Sequence, residues 1–204
     1  MEQQYWHFLP RNGRARWGRH GKIEVGRTLS IKAKPVMCER GFHASERAID
    51  SLAYAPGPVA CLVTLGGEIV EDTDKVVAQE RTVVAMADAS MVLHAFACHE
   101  AELALQRERK EGREPAAASW EAIKVKRRWL KGMATDQELN AAESAAWSAA
   151  ESAAWSAAWN AARSAAWSTA WSAAESVAES AAWSAAGSRQ NRYLERKLRE
   201  LLNG

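Results

Sequence analysis

Residues 141–148 read Ala141-Ala142-Glu143-Ser144-Ala145-Ala146-Trp147-Ser148, and twelve such Ala-Ala-x-Ser tetrapeptides run to Ser188, with departures only at Asn160, Thr169 and Val177. Ala has the highest helix propensity of the amino acids, and neither Gly nor Pro occurs between residues 141 and 186. Thr135 and Glu138 have capping-box spacing just before the repeat, and Gly187 is of a type that commonly ends helices. The pattern therefore predicts a long helix that begins near residue 136 and ends at Gly187.

The period of four makes the variable position of the repeat wind around this helix, because each repeat advances it by about 40°. Six of the ten tryptophans occupy that position: Trp147, Trp155, Trp159, Trp167, Trp171 and Trp183. A lone helix would leave most of this aromatic surface exposed, so these residues are predicted to mediate self-association into a homo-oligomer. The alternative is a β-solenoid with one short side per repeat, which the low strand propensity of Ala disfavours.

Residues 1–86 are predicted to form a β-rich head domain, which makes the fold class α+β. Short apolar runs alternate there with turn signals, and the runs lie at residues 5–9, 23–25, 59–65, 68–70 and 82–84. Gly66-Gly67 and Asp72-Thr73-Asp74 are two of the predicted turns. Residues 44–54 have helical spacing, with Ser45 as the expected N-cap.

Three further segments follow the head. Residues 87–132 are predicted to be a helical connector with helices at 87–110 and 119–131, and residues 133–187 form the repeat rod. Residues 188–204 form a basic amphipathic helix whose apolar stripe contains Leu194, Leu198, Leu201 and Leu202. In the first connector helix we expect partial burial of Met91, Leu93, Phe96, Ala97, Leu103 and Leu105.

Charge is arranged in blocks, although the formal net charge is only +2. Residues 1–40 hold nine Lys and Arg against three acidic residues, whereas residues 41–103 hold three against ten. Blocks of opposite sign favour docking within a chain or between copies. The repeat carries four Glu and one Arg, so phosphate would be repelled and nucleic acid is not the expected partner. The basic helix at 119–131 and the C-terminal tail are the remaining surfaces with nucleic-acid character.

The N-terminus lacks the pattern of a signal peptide, and no apolar run is long enough to span a membrane. A cytoplasmic protein without membrane association is therefore expected. Cys38, Cys61 and Cys98 are odd in number and widely spaced, which indicates reduced thiols rather than a disulfide framework.

The stretch Val36-Met37-Cys38-Glu39-Arg40-Gly41-Phe42-His43-Ala44-Ser45 resembles a motif of an uncharacterised domain found in bacteriophage and prophage proteins. The resemblance extends over residues 22–88, and some relatives carry repetitive C-terminal tails that contain Ala and Ser. It implies a phage or prophage origin, a location in the host cytoplasm and a compact α+β fold. It brings no established activity, and the partner that it implies is a host or phage protein, with a role in countering host defence.

Arg40, His43 and Lys75 are the residues of the head that are predicted to bind a ligand. His43 lies at a predicted strand-to-helix junction, where its ring either faces a ligand or hydrogen-bonds the backbone of the turn. The order His43, Tyr54, Glu80 resembles the His-Tyr-Glu arrangement of ADP-ribosyltransferases, in which His holds the nicotinamide ribose, Tyr stacks on the nicotinamide and Glu steadies the transition state. The leading interpretation is a non-catalytic interaction protein, and the alternative is a nucleotide-binding or ADP-ribosyltransferase-like enzyme centred on His43.

Metal binding is the remaining chemical hypothesis. His94 and Cys98 lie four residues apart, as on one helix face, and His99 or Cys38 would have to complete a site. Structural zinc sites have two closely spaced ligand pairs, whereas this chain has one, so a buried thiol and core histidines are the preferred interpretation. The acidic residues at 71–74 are interpreted as a turn between strands. No metal and no cofactor is predicted.

Overall fold

The computed structural model describes residues 2–15, 21–149 and 172–204, and in residues 172–186 it describes the backbone alone. The chain divides into two units, one that combines Met1–Leu93 with Gly187–Gly204 and one that contains His94–Ala186. The predicted α+β class is confirmed, because an antiparallel sheet in the first unit is followed along the chain by helices.

Five strands lie within the described residues: β1 (Tyr5–Leu9), β2 (Thr28–Ser30), β3 (Phe42–Ala44), β4 (Val59–Glu71) and β5 (Val76–Asp88). β4 and β5 form a long antiparallel hairpin, β1 pairs with the other edge of β4, and β3 and β2 pair with successive parts of β5. Trp6 of β1 and Ser45 after β3 exchange backbone hydrogen bonds of 2.7 and 2.9 Å. The sheet therefore curls until β1 meets the end of β3.

The β4–β5 hairpin contains one turn where two were predicted. The turn at residues 72–74 is confirmed, and the N–H of Asp72 donates to the carbonyl of Lys75 at 2.9 Å. The predicted turn at Gly66-Gly67 is wrong, because β4 continues through both glycines and the pairing with β5 shifts register there. Gly67 has a φ of 71°, which suits a strand irregularity that only Gly adopts without strain.

One core cluster of the first unit takes residues from all five strands. The apolar run at 23–25 does not form a strand, yet Ile23 is buried in this core. The core contains Tyr5, Leu9, Ile23, Leu29, Phe42, Ala44, Val59, Cys61, Val63, Val76 and Val83.

Five helices lie within the described residues: α1 (Ala48–Ala53), α2 (Ser90–Lys110), α3 (Ala117–Trp129), α4 (136–149) and α5 (Ser172–Asn203). The prediction of Ser45 as the N-cap of α1 is wrong, since Ser45 pairs with Trp6 and the helix starts after Arg47. Its first N–H groups are instead capped by side chains of α5, which belongs at its C-terminal end to the same unit.

The predicted helix end at Gly187 is also wrong, because α5 passes through it to Asn203. Leu194 and Leu198 beyond it are fully buried within the first unit. Burying two Leu side chains stabilises by roughly 1.5–3 kcal/mol each, which exceeds the cost of about 1 kcal/mol for a Gly inside a helix. The apolar stripe predicted for this segment is confirmed, with Leu201 and Leu202 partly buried.

In the second unit the predicted capping box is confirmed. The N–H of Thr135 donates to Glu138 at 2.7 Å, and the N–H of Glu138 donates to the Thr135 hydroxyl at 3.1 Å, at the start of α4. The helix predicted to begin at residue 87 begins at Ser90, because β5 continues to Asp88.

The burial predicted along α2 is wrong for three residues, since Met91, Ala97 and Leu103 are exposed, whereas Leu93, Phe96 and Leu105 are partly buried as predicted. Cys98 is the residue of this helix that is buried.

The repeat is helical where it is described, at residues 141–149 and 172–188. Trp147 is 75% exposed. Trp155, Trp159, Trp167 and Trp171 lie outside the described residues, as does the side chain of Trp183. Across the described helices, none has both the length and the apolar character that crossing a membrane requires.

Candidate functional site

A cavity of about 700 Å³ opens in the first unit beside β1, β3 and α1. Of the residues predicted to bind a ligand or to act in catalysis, His43, Tyr54 and Lys75 line this cavity. Arg40 does not, and its guanidinium donates to the carbonyl of Lys34 at 3.1 Å. Glu80 does not line it either. Three of the five predicted site residues therefore line the cavity, and Arg40 and Glu80 lie outside it.

His43 has its ring nitrogen bound to the backbone of a neighbouring turn. The N–H of Cys38 donates to Nε2 of His43 at 3.0 Å, and a backbone hydrogen bond to Gly41 adds to this. Burial lowers the pKa of His43, and the charges of Lys75 and Arg81 lower it further. A neutral ring engaged in this way holds β3 against the turn before it. Its predicted part in ligand binding stays a prediction.

Arg81 is the buried charge of the site. It is 5% exposed, lines the cavity, and donates from Nη1 to the carbonyl of His43 at 2.8 Å. Its guanidinium carbon lies 5.5 Å from the ring centre of Phe42. Its Nε is buried and has no hydrogen-bond partner among the described residues. Burial lowers the pKa of Arg81 to about 10, so the group is still charged near neutral pH.

No described carboxylate neutralises this charge through an ion pair. Cys61 lies close enough to interact with Arg81, but burial raises the pKa of its thiol to about 12, so the thiol is neutral. His7, which also lines the cavity, has its pKa lowered well below the usual value by burial and then by Arg81 and His43. Both histidines are therefore neutral near pH 7, chiefly because they are buried, and the neighbouring cations add to this effect.

Lys75, Tyr54 and Cys38 form a connected group at the edge of the cavity. The Tyr54 hydroxyl donates to Asp74 at 2.5 Å, and the Lys75 ammonium lies 3.4 Å from that hydroxyl and 4.7 Å from the ring centre. The neighbouring Cys38 side chain, and after it the Tyr54 hydroxyl, raises the pKa of Lys75. The Lys75 ammonium is therefore protonated near neutral pH and is positioned by its contacts with Tyr54.

The other predicted candidates have structural partners. The His94 ring packs edge-on against Trp129 at 5.1 Å between ring centres, and the Cys98 sulfur donates to the carbonyl of Ile123 at 3.8 Å. In the acidic turn, Asp72 accepts the N–H of Thr73 at 2.8 Å. Over the described ranges, no three His, Cys, Asp or Glu side chains converge as metal ligands would.

The order His43, Tyr54, Glu80 does not assemble into one site. Successive strand residues point to opposite faces of a sheet, and Arg81 occupies the cavity face of β5. Glu80 is exposed and does not line the cavity. Arg81 was not among the predicted site residues, because it follows the polar Gln79 and Glu80, lies just before the apolar run at residues 82–84, and is set apart by no local pattern.

Comparison with known proteins adds one finding. A domain of unknown function (DUF7666) matches residues 15–95, which include β2 to β5 and the turn that carries Cys38. No curated protein and no solved structure matches the chain.

Proposed function

We propose that the protein is a non-catalytic binding module whose head takes a small anionic ligand of host or phage into the cavity. The observation that carries this proposal is the buried Arg81 guanidinium, which lines the cavity without a carboxylate partner among the described residues. Burying an unpaired charge costs several kcal/mol, and such charges in proteins are normally compensated. A bound anion would supply the missing negative charge.

The size and lining of the cavity support a small-molecule ligand. Its volume lies in the range of ligand pockets, and apolar and aromatic side chains surround a few polar groups, as is usual in such sites. Lys75 adds a second positive charge at the edge of the cavity. His7 and His43 are neutral near pH 7, so they do not change this charge. The competing interpretation is structural, with Arg81 holding the His43 carbonyl and stacking on Phe42. It leaves the charge of Arg81 without a carboxylate partner among the described residues.

A catalytic role for His43 receives less support from this geometry. Nε2 accepts the Cys38 N–H, so it is not free to remove or deliver a proton at a ligand. Glu80, the acidic partner in the alternative, lies outside the cavity. The site thus has cationic groups that suit an anion, whereas the His43 and Glu80 of the alternative are not brought together in the cavity.

The test is anion-dependent stabilisation of the full-length protein. Thermal unfolding is measured with inorganic phosphate, ADP or adenosine over a range of concentrations. A ligand at about 100 times its dissociation constant stabilises the folded state by about 2.7 kcal/mol. We expect stabilisation by phosphate and ADP and none by adenosine. Arg81→Met should abolish it, whereas Arg40→Met should retain it, since Arg40 is an exposed arginine outside the cavity.

Two results would overturn the proposal. One is wild-type protein that no anion stabilises, and the other is an Arg81→Met protein, folded by circular dichroism, that responds as wild type does. If Arg81→Met does not fold, Lys75→Met serves as the second variant and should weaken the anion response by reducing the positive charge at the edge.

The repeat favours a second function, self-assembly. Trp147 is 75% exposed in a helix, and the repeat sequence has five more tryptophans at the same position. Several large apolar side chains exposed together mark an interaction site. We propose that copies associate through the tryptophans of the repeat and that the chain, as its resemblance to phage domains implies, acts as an assembled interaction protein in a phage-infected host, with a role in countering host defence. Light scattering at micromolar concentration should show an oligomer, and a monomer there would contradict self-assembly.

A further inference from the structure

Four arginines form a row along one face of the C-terminal part of α5. All four are exposed, and they follow one another at intervals of three, four and three residues: Arg189, Arg192, Arg196 and Arg199. With about 100° and about 1.5 Å per residue, this spacing keeps them within an arc of about 80° and spreads them over about 15 Å. Leu194 and Leu198, on the opposite face, are buried in the first unit. The arginine row therefore lies on the solvent side of the docked helix.

Little of the positive charge of the arginine row is neutralised. Glu200 lies 4.0 Å from Arg196 and is shared with Lys197, whose ammonium is 2.6 Å away. Arg189 and Arg192 form no ion pair within the part of the chain that the structure describes. Like charges three or four residues apart in a helix repel each other. The row therefore opposes helix formation unless a partner supplies negative charge.

Arg199 fixes one end of the row on the head. Its guanidinium carbon lies 5.2 Å from the ring centre of Trp6, and its Nη1 donates to the side-chain oxygen of Gln4 at 3.4 Å. Glu2 borders the same surface depression as Arg199. The positive charge without a described partner is thus concentrated at the other end of the row.

The cations of α3, the other basic segment, are arranged differently. Four of its side chains form ion pairs, each with a different carboxylate of the second unit: Lys124 with Glu121, Lys126 with Glu143, Arg127 with Glu102 and Arg128 with Glu138. A cation that is already paired with a carboxylate attracts a further anion less strongly. The structure thus distinguishes two basic segments that the sequence left equivalent, and it favours α5 as the surface for a polyanion.

We propose that the arginine row binds the phosphate backbone of double-stranded nucleic acid without preference for base sequence. Duplex DNA carries one negative charge per about 1.7 Å of its axis, so a row of about 15 Å meets several phosphates. The guanidinium group of Arg forms paired hydrogen bonds to phosphate oxygens. Contacts of this kind position a protein on the duplex and carry no sequence information.

The side chains on this face suit a duplex better than other polyanions. Between residues 187 and 203, the arc of the row contains the four arginines and Asn203. An interface with an acidic protein normally has an apolar centre, and single strands are normally held by bases stacked on aromatic side chains. The described residues of the arc supply neither. The row also shares no residue with the cavity lining, so this surface is separate from the proposed anion site.

Binding is tested with the full-length protein and a short, fluorescently labelled DNA duplex, by anisotropy at several salt concentrations. The logarithm of the binding constant falls by about 0.9 per phosphate contact for each unit of log salt. Four contacts therefore give a slope of about −3.6 and a loss of affinity on the order of 100-fold between about 50 and 200 mM salt. Unlabelled DNA of unrelated sequence and duplex RNA should both displace the probe, whereas poly-glutamate at equal charge concentration should not.

Paired variants locate the surface. Arg189→Gln combined with Arg192→Gln removes two exposed charges of the row and should make the salt slope shallower by about 1.8. Arg127→Gln combined with Arg128→Gln makes the same change in net charge on α3 and should leave the slope as in wild type. Circular dichroism checks that both variants are folded.

Four results would overturn the inference. They are wild-type protein that does not bind the duplex at about 50 mM salt, a slope that the α5 variant leaves unchanged, an equal change in the α3 variant, and a probe that poly-glutamate displaces or that either unlabelled duplex fails to displace. Displacement by poly-glutamate would mean that the row binds an acidic polypeptide instead.

Discussion

Glu195 of α5 accepts a hydrogen bond from the N–H of Ala48, the first residue of α1, at 3.1 Å. Asn191, one turn earlier in α5, accepts the next N–H, that of Ile49, at the same distance and donates to Glu195 at 3.0 Å. Residues separated by more than 140 positions therefore supply the cap that a local Ser, Thr, Asp or Asn normally provides. The C-terminal end of the chain is thereby part of the structure that begins with β1.

Removal of this cap should lower the stability of the first unit. Glu195→Ala leaves the N–H of Ala48 without its acceptor, and loss of a helix cap costs about 1 kcal/mol. Chemical denaturation should show a decrease of that size in the free energy of unfolding. Glu195→Gln keeps an oxygen acceptor and should lie closer to wild type. Equal loss in the two variants would mean that the carboxylate charge, rather than the cap, stabilises this contact.

Leu198 should contribute more than Glu195, because it is fully buried. Leu198→Ala removes buried methyl groups and leaves a cavity, which usually costs 2–5 kcal/mol, so we expect a decrease of about that size. Leu201→Ala, three residues along the same helix and only partly buried, is the control and should cost less. The measurement is the same denaturation curve, and similar losses for both variants would contradict the docking of α5 through Leu198.

The irregularity in β4 allows steric and conformational costs to be separated. Gly67 and Gly112 both have positive φ, at 71° and 81°. A Cβ on Gly67 would lie 2.8 Å from the Cβ of Gln79, whereas a Cβ on Gly112 would meet nothing within 4 Å. Gly112→Ala should therefore cost about 1–2 kcal/mol from backbone strain alone. Gly67→Ala should lower the free energy of unfolding by more than Gly112→Ala does, as measured by thermal or chemical denaturation. An equal decrease in the two variants would show that β4 and Gln79 shift to accommodate the Cβ without a steric cost.

The two cavity histidines should make stability depend on pH. Their pKa values are lowered in the folded state, chiefly by burial, so the unfolded chain binds protons more readily below its ordinary histidine pKa of about 6.5. The stability present above that value is therefore lost as the pH falls, by up to about 1.4 kcal/mol per pH unit for each histidine.

Denaturation curves at several pH values between about 7 and 5 check this dependence, because most carboxylates titrate below that window. His7→Gln should make the slope smaller, since one of the two groups that resist protonation is gone. A slope that is the same in wild type and His7→Gln would show that His7 does not contribute to it.

Much of the local structure could be predicted from the sequence, for reasons that particular residues show. The capping box of Thr135 and Glu138 depends on side chains three residues apart, so its hydrogen bonds require nothing from the rest of the chain. The turn at residues 72–74 and the stripe that contains Leu194 and Leu198 are likewise encoded by short-range patterns. Gly66 and Gly67 misled the prediction because glycines mark both turns and strand irregularities, and only pairing with β5 distinguishes the two.

The sequence by itself determined the α+β class, the helical character of the described part of the repeat and the apolar face of the C-terminal helix, because these follow from residue propensities and spacing. Only the tertiary structure decided where Arg81 points and what caps α1. Arg81 is buried because its position in β5 turns it toward the cavity, and that register is set by pairing with strands more than ten residues away. A cap from α5 and a buried cation both arise from contacts between distant segments, which no local pattern specifies.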